Sequence, residues 1–456
     1  MSTPTKPVTA PDAIPSTLGH SAAPRFWLAV LLTAIGTGAG AAALTRLLEY
    51  VQRLCWGGTG TDLLHASEHS PPWRHLLVLV AAALVTGSGQ VILRRLTSAN
   101  GIDTTAAIWF HAGRMPAIRT LGSAILSVLI VAMGVSLGRE GAPKQAGAVF
   151  ANLFCDRTRL SDEQRRLLVA CGAGAGMSAA YGVPLGGALF ALEVLRGKLA
   201  LRYVLPALFT SFIATGVSWL VLPDAPTYHI PSFANSASSL VFALLAGPIA
   251  GLLSVQYVRM VTWADRHRPQ GWHRFSAPLV GFLLLGALSI PFPQLLGNGK
   301  DVSQLAFASQ VTPRLMLILL LVKPAMILLS MRCGAPGGLF TPSLTVGAML
   351  GGVLGTAWSW IWPGESIGLF ALLGAGAVLA ATTQGPISSV VLLMELTGRD
   401  RSFILPLLVA VCTATLVSRT IEPRSIYDAR LSDEEFTARQ KLRDADGNPT
   451  AVPTMS

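Results

Sequence analysis

Long apolar runs recur along the whole chain and constrain its fold more than any other feature. A helix needs roughly 20 predominantly apolar residues to cross a bilayer. The clearest runs cover residues 26–44, 76–93, 117–137, 204–222, 240–258, 279–292, 315–331 and 403–417. Hydrophobic residues make up 52% of the chain and charged residues only 12%, whereas a soluble domain carries about twice that charged fraction. We therefore predict an all-α, polytopic membrane protein.

The basic residues are dispersed, so the net charge of +11 does not indicate a nucleic-acid partner. Arg165 and Arg166, and later Arg266 and Arg268, lie in short segments between apolar runs. Excess Lys and Arg marks cytoplasmic loops, and we expect a multi-pass cell-membrane protein with both termini in the cytoplasm. The five cysteines include no Cys-x-x-Cys pair, so we expect neither a disulfide framework nor a metal or other cofactor.

The second half of the chain repeats features of the first half. Three positions recur at a constant offset of 202 residues, where Gly172, Pro184 and Glu193 match Gly374, Pro386 and Glu395. The tripeptide Gly-Ala-Pro at 141–143 also recurs at 334–336, with an offset of 193. Internal repeats with helices broken by Gly and Pro are typical of transporters whose site lies near the bilayer midplane. We expect the two repeats to be inverted, which requires an odd number of crossings in each; the sequence does not fix that number.

These features predict five consecutive parts of the chain. Residues 1–24 form a disordered tail, 25–222 the first transmembrane repeat and 223–239 a linker loop. Residues 240–427 form the second repeat, and 428–456 a short polar cytoplasmic tail. We expect half-helices of the two repeats to meet near the midplane. The final segment is too short to hold a pair of regulatory (CBS) domains, so we expect none.

The stretch 138–147 places an Arg-Glu pair among glycines between two apolar segments. Pro143 suits the first turn of a new helix, where its missing N–H costs nothing. The free N–H groups and the dipole at such a helix start attract anions, and Glu140 would lie at that start. An ordinary solvated loop is the alternative interpretation. An Arg139–Glu140 salt bridge is a weaker one, because sequence neighbours rarely face each other.

The motifs and their order resemble the CLC family of chloride channels and proton-coupled chloride transporters, in particular its ClcB-like bacterial branch. Residues 138–141 (Gly-Arg-Glu-Gly) resemble the family's GREGP motif, and residues 337–342 resemble its GxFxP motif. Tyr427 matches the tyrosine near the family's C-terminal end, and residues 100–103 lie where the family has GSGIP. The resemblance covers about residues 25–430 and implies chloride transport across a bacterial inner membrane by a homodimer.

The resemblance also implies a set of site residues. Glu140 matches the gating glutamate, and Glu193 is a candidate for a proton path. The implied anion-binding residues are Asn100, Gly101, Arg139, Gly141, Leu339, Phe340 and Tyr427. Core packing of Phe340 and an interfacial-anchor role for Tyr427 are the alternatives without the family match.

Two departures from the family pattern leave alternatives open. Asn100 stands where the family usually has a serine. The fluoride-selective branch has asparagine at this position, and nitrate preference goes with proline. An amide N–H₂ can still donate to chloride, as a hydroxyl can. Val194 stands where proton-coupled members carry an inner glutamate, which favours a passive channel over an exchanger. Glu193 has a buried ion pair with Lys323 as its alternative interpretation. An intramembrane enzyme is a remote alternative, because the chain has no Gly-x-Ser-x-Gly or His-Glu-x-x-His motif.

Overall fold

The computed structural model describes residues 14–15, 23–58, 62–97, 102–233, 236–398 and 403–447, and within them the chain is helical. The first group of helices is α1 (Ala23–Trp56), α2 (Leu63–Glu68), α3 (Pro72–Leu96), α4 (Thr104–Phe110), α5 (Ala117–Ala132), α6 (Gly141–Thr158), α7 (Asp162–Tyr181), α8 (Pro184–Phe190) and α9 (Leu201–Ser218). The second is α10 (Ala237–Arg266), α11 (His273–Ser289), α12 (Lys300–Phe307), α13 (Pro313–Arg332), α14 (Phe340–Ile361), α15 (Ile367–Thr383), α16 (Pro386–Thr397), α17 (Ile404–Ile421) and α18 (Asp433–Gly447).

The prediction of a polytopic all-α membrane protein is confirmed. Among the described residues, seven helices are long and apolar enough to cross a membrane, and four shorter ones are also apolar. A π-helical turn, Ala191–Arg196, extends α8, and a 3₁₀ turn, Pro293–Leu295, precedes α12. Large apolar side chains such as Leu220 (83% exposed) and Val280 (69%) cover the outside, as expected of a surface that faces lipid.

The two groups of helices run in the same order. The series α3–α9 corresponds helix by helix to α11–α17, and the long α1 corresponds to α10. The loops after α5 and α13 match most closely. Met133 and Cys333 end these helices, and Gly134 and Gly334 follow with positive φ angles of 101° and 86°. The apolar run 117–137 is therefore not one helix, because its backbone turns at Gly134.

This correspondence corrects one of the two predicted repeat matches. The helical break is repeated at an offset of 200, because Gly134 corresponds to Gly334. The match at offset 193 is wrong: Gly141–Pro143 are the first residues of α6, whereas Gly334–Pro336 lie in the loop before α14. The match at offset 202 is structural, since Pro184 and Pro386 begin the equivalent helices α8 and α16.

Small residues allow the equivalent helices of each repeat to cross at close range. A Cβ on Gly147 of α6 would lie 2.0 Å from the carbonyl oxygen of Gly172 in α7. In the second repeat, a Cβ on Gly347 of α14 would lie 2.5 Å from the carbonyl oxygen of Gly374 in α15. Close backbone approach of this kind is the usual role of small residues in membrane helices. The Gly/Ala-rich face of α7 is thus buried inside the chain and is not free to form a dimer interface.

The last helix, α18, is held against the rest of the chain by arginines. Arg439 forms a buried ion pair with Asp428, and its Nη2 donates to the Val194 carbonyl at 3.0 Å. Near the start of α18, Asp433 Oδ1 accepts from Arg266 at 2.5 Å and from Arg424 at 2.6 Å. These hydrogen bonds lower the pKa of Asp433 to about 2.

Candidate anion site

The breaks of the two repeats meet and pair with each other. The N–H of Gly138 donates to the carbonyl of Gly338, and the N–H of Gly338 donates to the carbonyl of Gly138, both at 2.8 Å. This antiparallel bridge joins the loop before α6 to the loop before α14. The starts of these two helices are thereby fixed next to each other.

Glu140 immediately precedes α6, but its carboxylate binds the start of α14. Oε1 accepts from the N–H groups of Phe340 at 2.5 Å and Thr341 at 3.2 Å. Oε2 accepts from the Thr341 hydroxyl at 3.3 Å and the Tyr181 hydroxyl at 3.5 Å. The residue is 3% exposed. A carboxylate therefore occupies the free amides and positive dipole end of a helix, where a small anion would also bind.

Glycine is required on both sides of this carboxylate. A Cβ on Gly138 would lie 2.0 and 2.3 Å from the Glu140 oxygens, and one on Gly338 would lie 2.6 Å from Oε1. Any side chain at either position would overlap the carboxylate in its observed place. The glycines of the two motifs thus make the space that Glu140 fills.

The start of α6 differs from that of α14, because no carboxylate binds it. Leu339 immediately precedes α14, as Glu140 precedes α6, and its side chain cannot accept a hydrogen bond. Among the described residues, no acceptor is bonded to the N–H of Gly141 or of Ala142. Of these two adjacent helix starts, only that of α14 is occupied by a carboxylate. The N–H groups at the start of α6 remain as donors for a second anionic group.

Arg139 contacts Tyr181 and lines a cavity whose wall does not include Tyr427. Its Nε lies 3.4 Å from the Tyr181 hydroxyl, and its guanidinium lies 4.9 Å from the centre of that ring. It lines a cavity of about 280 Å³ together with Lys300 and Asp301, here called the Arg139 cavity. Two basic side chains, Arg139 and Lys300, therefore face this cavity, and Arg139 is the chain neighbour of Glu140.

Tyr427 packs beside the break without hydrogen-bonding Glu140. Its ring contacts Phe190 edge-on, with centroids 5.3 Å apart, and the Nζ of Lys144 lies 4.4 Å from its centroid. Its hydroxyl has no hydrogen-bond partner among the described residues, but it is near enough to Glu140 to interact electrostatically. Both the hydroxyl and the buried Lys144 are therefore available to an anion on this side.

A second cavity, of about 480 Å³, lies on the Tyr427 side and is here called the Asp103 cavity. Asp103 precedes α4, accepts from the Thr105 N–H at 2.9 Å and pairs with Arg430 at 3.1 Å. Gly337, next to the paired glycine of the second break, also lines the cavity. The predicted site residues Asn100 and Gly101 lie outside the described residues.

Glu193 caps a helix of the other repeat, and Glu395 does the same in return. Oε1 of Glu193 accepts from the Ile387 N–H at 3.1 Å, and Oε2 accepts from the Ser388 N–H at 2.6 Å, at the start of α16. Glu395 accepts from the N–H groups of Leu185 at 3.0 Å and Gly186 at 2.6 Å, at the start of α8. Both starts in this pair are thus occupied by carboxylates.

The proposed Glu193–Lys323 ion pair is absent. Lys323 is buried in α13, and its Nζ donates to four carbonyls, those of residues 294, 295, 296 and 297, at 2.9–3.2 Å. These carbonyls end the 3₁₀ turn Pro293–Leu295, so the ammonium caps that turn. The alternative was wrong because each of the two side chains has backbone partners of its own.

Sequence reasoning missed two residues that contact Glu140. Thr341 contributes both its N–H and its hydroxyl, and Tyr181 contributes its hydroxyl. A usable signal existed for Thr341, because α14 begins at Phe340 and its first free amides are then those of residues 340 and 341. Nothing in the sequence indicated Tyr181, which ends α7 and reaches the break only through the tertiary fold.

Comparison with known proteins agrees with this geometry. The family model described as voltage gated chloride channel matches residues 81–419. The Escherichia coli K12 protein named "Voltage-gated ClC-type chloride channel ClcB" is 33% identical over 379 residues, which cover 80% of this chain and 89% of that protein.

Solved structures share the fold. A slow cyanobacterial Cl⁻/H⁺ antiporter has a TM-score of 0.78 at 23% identity, over 92% of this chain and 99% of that one. A CLC-type fluoride/proton antiporter has a TM-score of 0.70 at 21% identity, over 89% of this chain and 97% of that one. The chain has the CLC fold of two inverted repeats. It belongs to the voltage-gated chloride channel (CLC) family of anion-transporting membrane proteins.

Proposed function

We propose that this protein conducts chloride across the membrane and that the Glu140 carboxylate gates the path. The observation that carries the proposal is the position of that carboxylate, which occupies the amides of Phe340 and Thr341 in the place of an anion. Protonation of Glu140 would remove its charge and weaken these hydrogen bonds, because charged acceptors form the stronger ones. The amides at the starts of α6 and α14 then become available to chloride together.

Passive conduction is favoured over proton-coupled exchange. Val194, which is buried, cannot titrate, and its carbonyl accepts from Arg439. Glu193 accepts two backbone N–H groups and, at 2.7 Å, the Ser388 hydroxyl, so its carboxylate is fixed at the start of α16. Exchange through another route is the second candidate, because solved structures with this fold include Cl⁻/H⁺ and fluoride/proton antiporters.

Chloride is the anion we propose, with fluoride or nitrate preference as the alternative raised by Asn100. The Escherichia coli relative, at 33% identity, carries chloride in its name, and Tyr427 is present to donate a hydroxyl. No group of three or more His, Cys, Asp or Glu side chains suited to a metal occurs in the described part of the chain. We propose transport without a cofactor, and no enzymatic activity.

We further propose a homodimer in the bacterial inner membrane, with both termini in the cytoplasm. Since the Gly/Ala-rich face of α7 is buried, another surface must form the interface. The starts of α8 and α16 offer one, because each presents an exposed apolar side chain, Leu185 (44% exposed) and Ile387 (50% exposed). The N–H of Leu185 is capped by Glu395 and that of Ile387 by Glu193, so the two helix starts lie close together.

The test is chloride efflux from proteoliposomes with simultaneous recording of external pH. Wild-type protein should release chloride faster at acidic than at neutral pH, without stoichiometric proton uptake. Glu140→Gln, which mimics the protonated state, should remain conducting with little pH dependence. Glu68→Gln, at an exposed site, is the matched control and should behave as wild type. Proton movement in fixed ratio to chloride would contradict the channel, and unchanged pH dependence in Glu140→Gln would contradict the gate.

A further inference from the structure

Three arginines from different helices converge on the wall of the Asp103 cavity. Arg94 lies in the last turn of α3, Arg119 in the first turn of α5 and Arg274 in the first turn of α11. Arg119 interacts electrostatically with both of the others. In the described part of the chain, no carboxylate lies within ion-pair distance of any of them. Like charges held together without a counter-charge favour the binding of an anion.

Arg119 also has an unused hydrogen-bond donor. Its Nη1 is buried and has no partner within the described residues, and its Nη2 makes only a 3.4 Å contact with Gln90 Oε1. A buried donor without an acceptor costs about 1–3 kcal/mol, so an acceptor from a ligand would be favoured here. The cavity's other arginines differ, since Arg268 binds Asp265 at 2.5 Å and Arg430 binds Asp103. The cluster Arg94/Arg119/Arg274, here called the arginine cluster, is therefore distinct from these ion pairs.

An apolar groove of about 430 Å³ adjoins this cavity between α11 and α13. Its walls include Val280, Leu284 and Leu329, and it shares Pro269 and Cys333 with the Asp103 cavity. Val280 is 69% exposed and Leu284 is 47% exposed, on a helix that lies in the membrane region. The groove is therefore continuous with a basic site at one end and open to lipid along its length.

We propose that the arginine cluster binds the phosphate headgroup of an anionic phospholipid whose acyl chain lies in the α11–α13 groove. Guanidinium groups match phosphate oxygens through paired hydrogen bonds, and basic pockets between transmembrane helices are typical headgroup sites. The adjoining apolar groove favours a lipid over a free phosphate ion. This proposal is independent of the gating role of Glu140. It places a lipid phosphate in the wall of the cavity that leads to the break.

Native mass spectrometry of the delipidated protein in detergent tests the proposal. Phosphatidylglycerol and phosphatidylcholine with identical acyl chains are titrated against wild type and against the double variant Arg119→Gln/Arg274→Gln. Each arginine near a headgroup contributes about fivefold in affinity, so the double variant should lose about 25-fold for phosphatidylglycerol and little for phosphatidylcholine. Arg157→Gln, which removes an exposed arginine outside the cluster, should keep the wild-type preference.

Two further measurements separate the headgroup, the acyl chain and free phosphate. Val280→Trp fills the groove from an exposed position and should weaken binding of both lipids while the preference for phosphatidylglycerol remains. Inorganic phosphate at matched ionic strength should neither raise the melting temperature nor displace phosphatidylglycerol. Equal binding of the two lipids by wild type, or an unchanged preference in the double variant, would overturn the proposal. Full displacement of phosphatidylglycerol by inorganic phosphate would show that the cluster binds free phosphate, and would contradict the proposal of a lipid ligand.

Discussion

Substituting Gly138 by alanine should open the path while leaving the Glu140 carboxylate in the protein. The Cβ would lie 2.0 Å from Oε1, 2.3 Å from Oε2 and 2.4 Å from Cδ of Glu140. All three of its nearest neighbours belong to this one carboxyl group, at the end of a flexible side chain. The backbone at Gly138 does not have a positive φ, so alanine fits its conformation. The least costly response is therefore rotation of the Glu140 side chain away from α14.

The hydrogen bonds of the carboxylate give the size of the effect. It accepts from two backbone N–H groups, at 2.5 and 3.2 Å. Hydrogen bonds to a charged group contribute about 1.5–3 kcal/mol each, so the docked position is favoured by about 3–6 kcal/mol, or roughly 10²- to 10⁴-fold. A single methyl group at Gly138 removes that advantage. Chloride efflux at neutral pH should therefore rise at least about tenfold, even if other steps limit the open path.

Chloride efflux from proteoliposomes at neutral and acidic pH measures this change. Gly138→Ala should approach the rate of Glu140→Gln, and the double variant should be no faster than either, because both changes act on the same carboxylate. Gly216→Ala is the matched control, since a Cβ there meets nothing within 4 Å. A folded Gly138→Ala protein with the wild-type rate and pH response would refute the reasoning.

Three other predictions concern stability, coupling and selectivity. Lys323→Met leaves four carbonyls without their donor and should destabilise the protein by at least about 1–3 kcal/mol, seen as a lower melting temperature in detergent. Arg314→Met, at an exposed site of the same helix, should not lower the melting temperature. Glu193→Gln should weaken the cap of α16, and Glu395→Gln should weaken the cap of α8, without either change altering the ratio of protons to chloride ions transported. A ratio that changes in Glu193→Gln alone would make Glu193 part of a proton path. Asn100→Ser should keep chloride permeant, and Asn100→Pro should favour nitrate because it removes the side-chain donor; equal permeability ratios from reversal potentials would place Asn100 outside the site.

The sequence predicts the local features of the break well. Gly141–Pro143 begin α6, as the proline and glycines indicate, and the repeat at offset 202 relates equivalent helices. These features depend on residues near one another in the chain, or on a regular spacing between the halves. The family resemblance then identified Phe340, whose N–H does contact Glu140.

The partners of the carboxylates could not be predicted from the sequence. Glu140 precedes α6, and local rules assign it to that helix, yet it binds α14 about 200 residues later. The same holds for Glu193, whose partners at the start of α16 are known only once the two repeats pack together. The offset of 193 failed for a related reason, because a short tripeptide carries no information on whether it lies inside a helix or before one.

Capping across the repeats supports our proposal that the anion site lies at the α6/α14 pair. At the α8/α16 pair both helix starts are occupied, by Glu395 and Glu193, so no free amides remain for a diffusing ion. At the α6/α14 pair only one carboxylate is present, because Leu339 and Phe340 follow Gly338 where Arg139 and Glu140 follow Gly138, and neither carries a carboxylate. Movement of Glu140 alone therefore frees the amides of α14 next to the start of α6, which no carboxylate occupies, and the dipoles of both helices then act on the same small volume. We therefore propose that the gated site of this fold arises where the two halves differ, because Glu140 has no carboxylate counterpart in the second repeat.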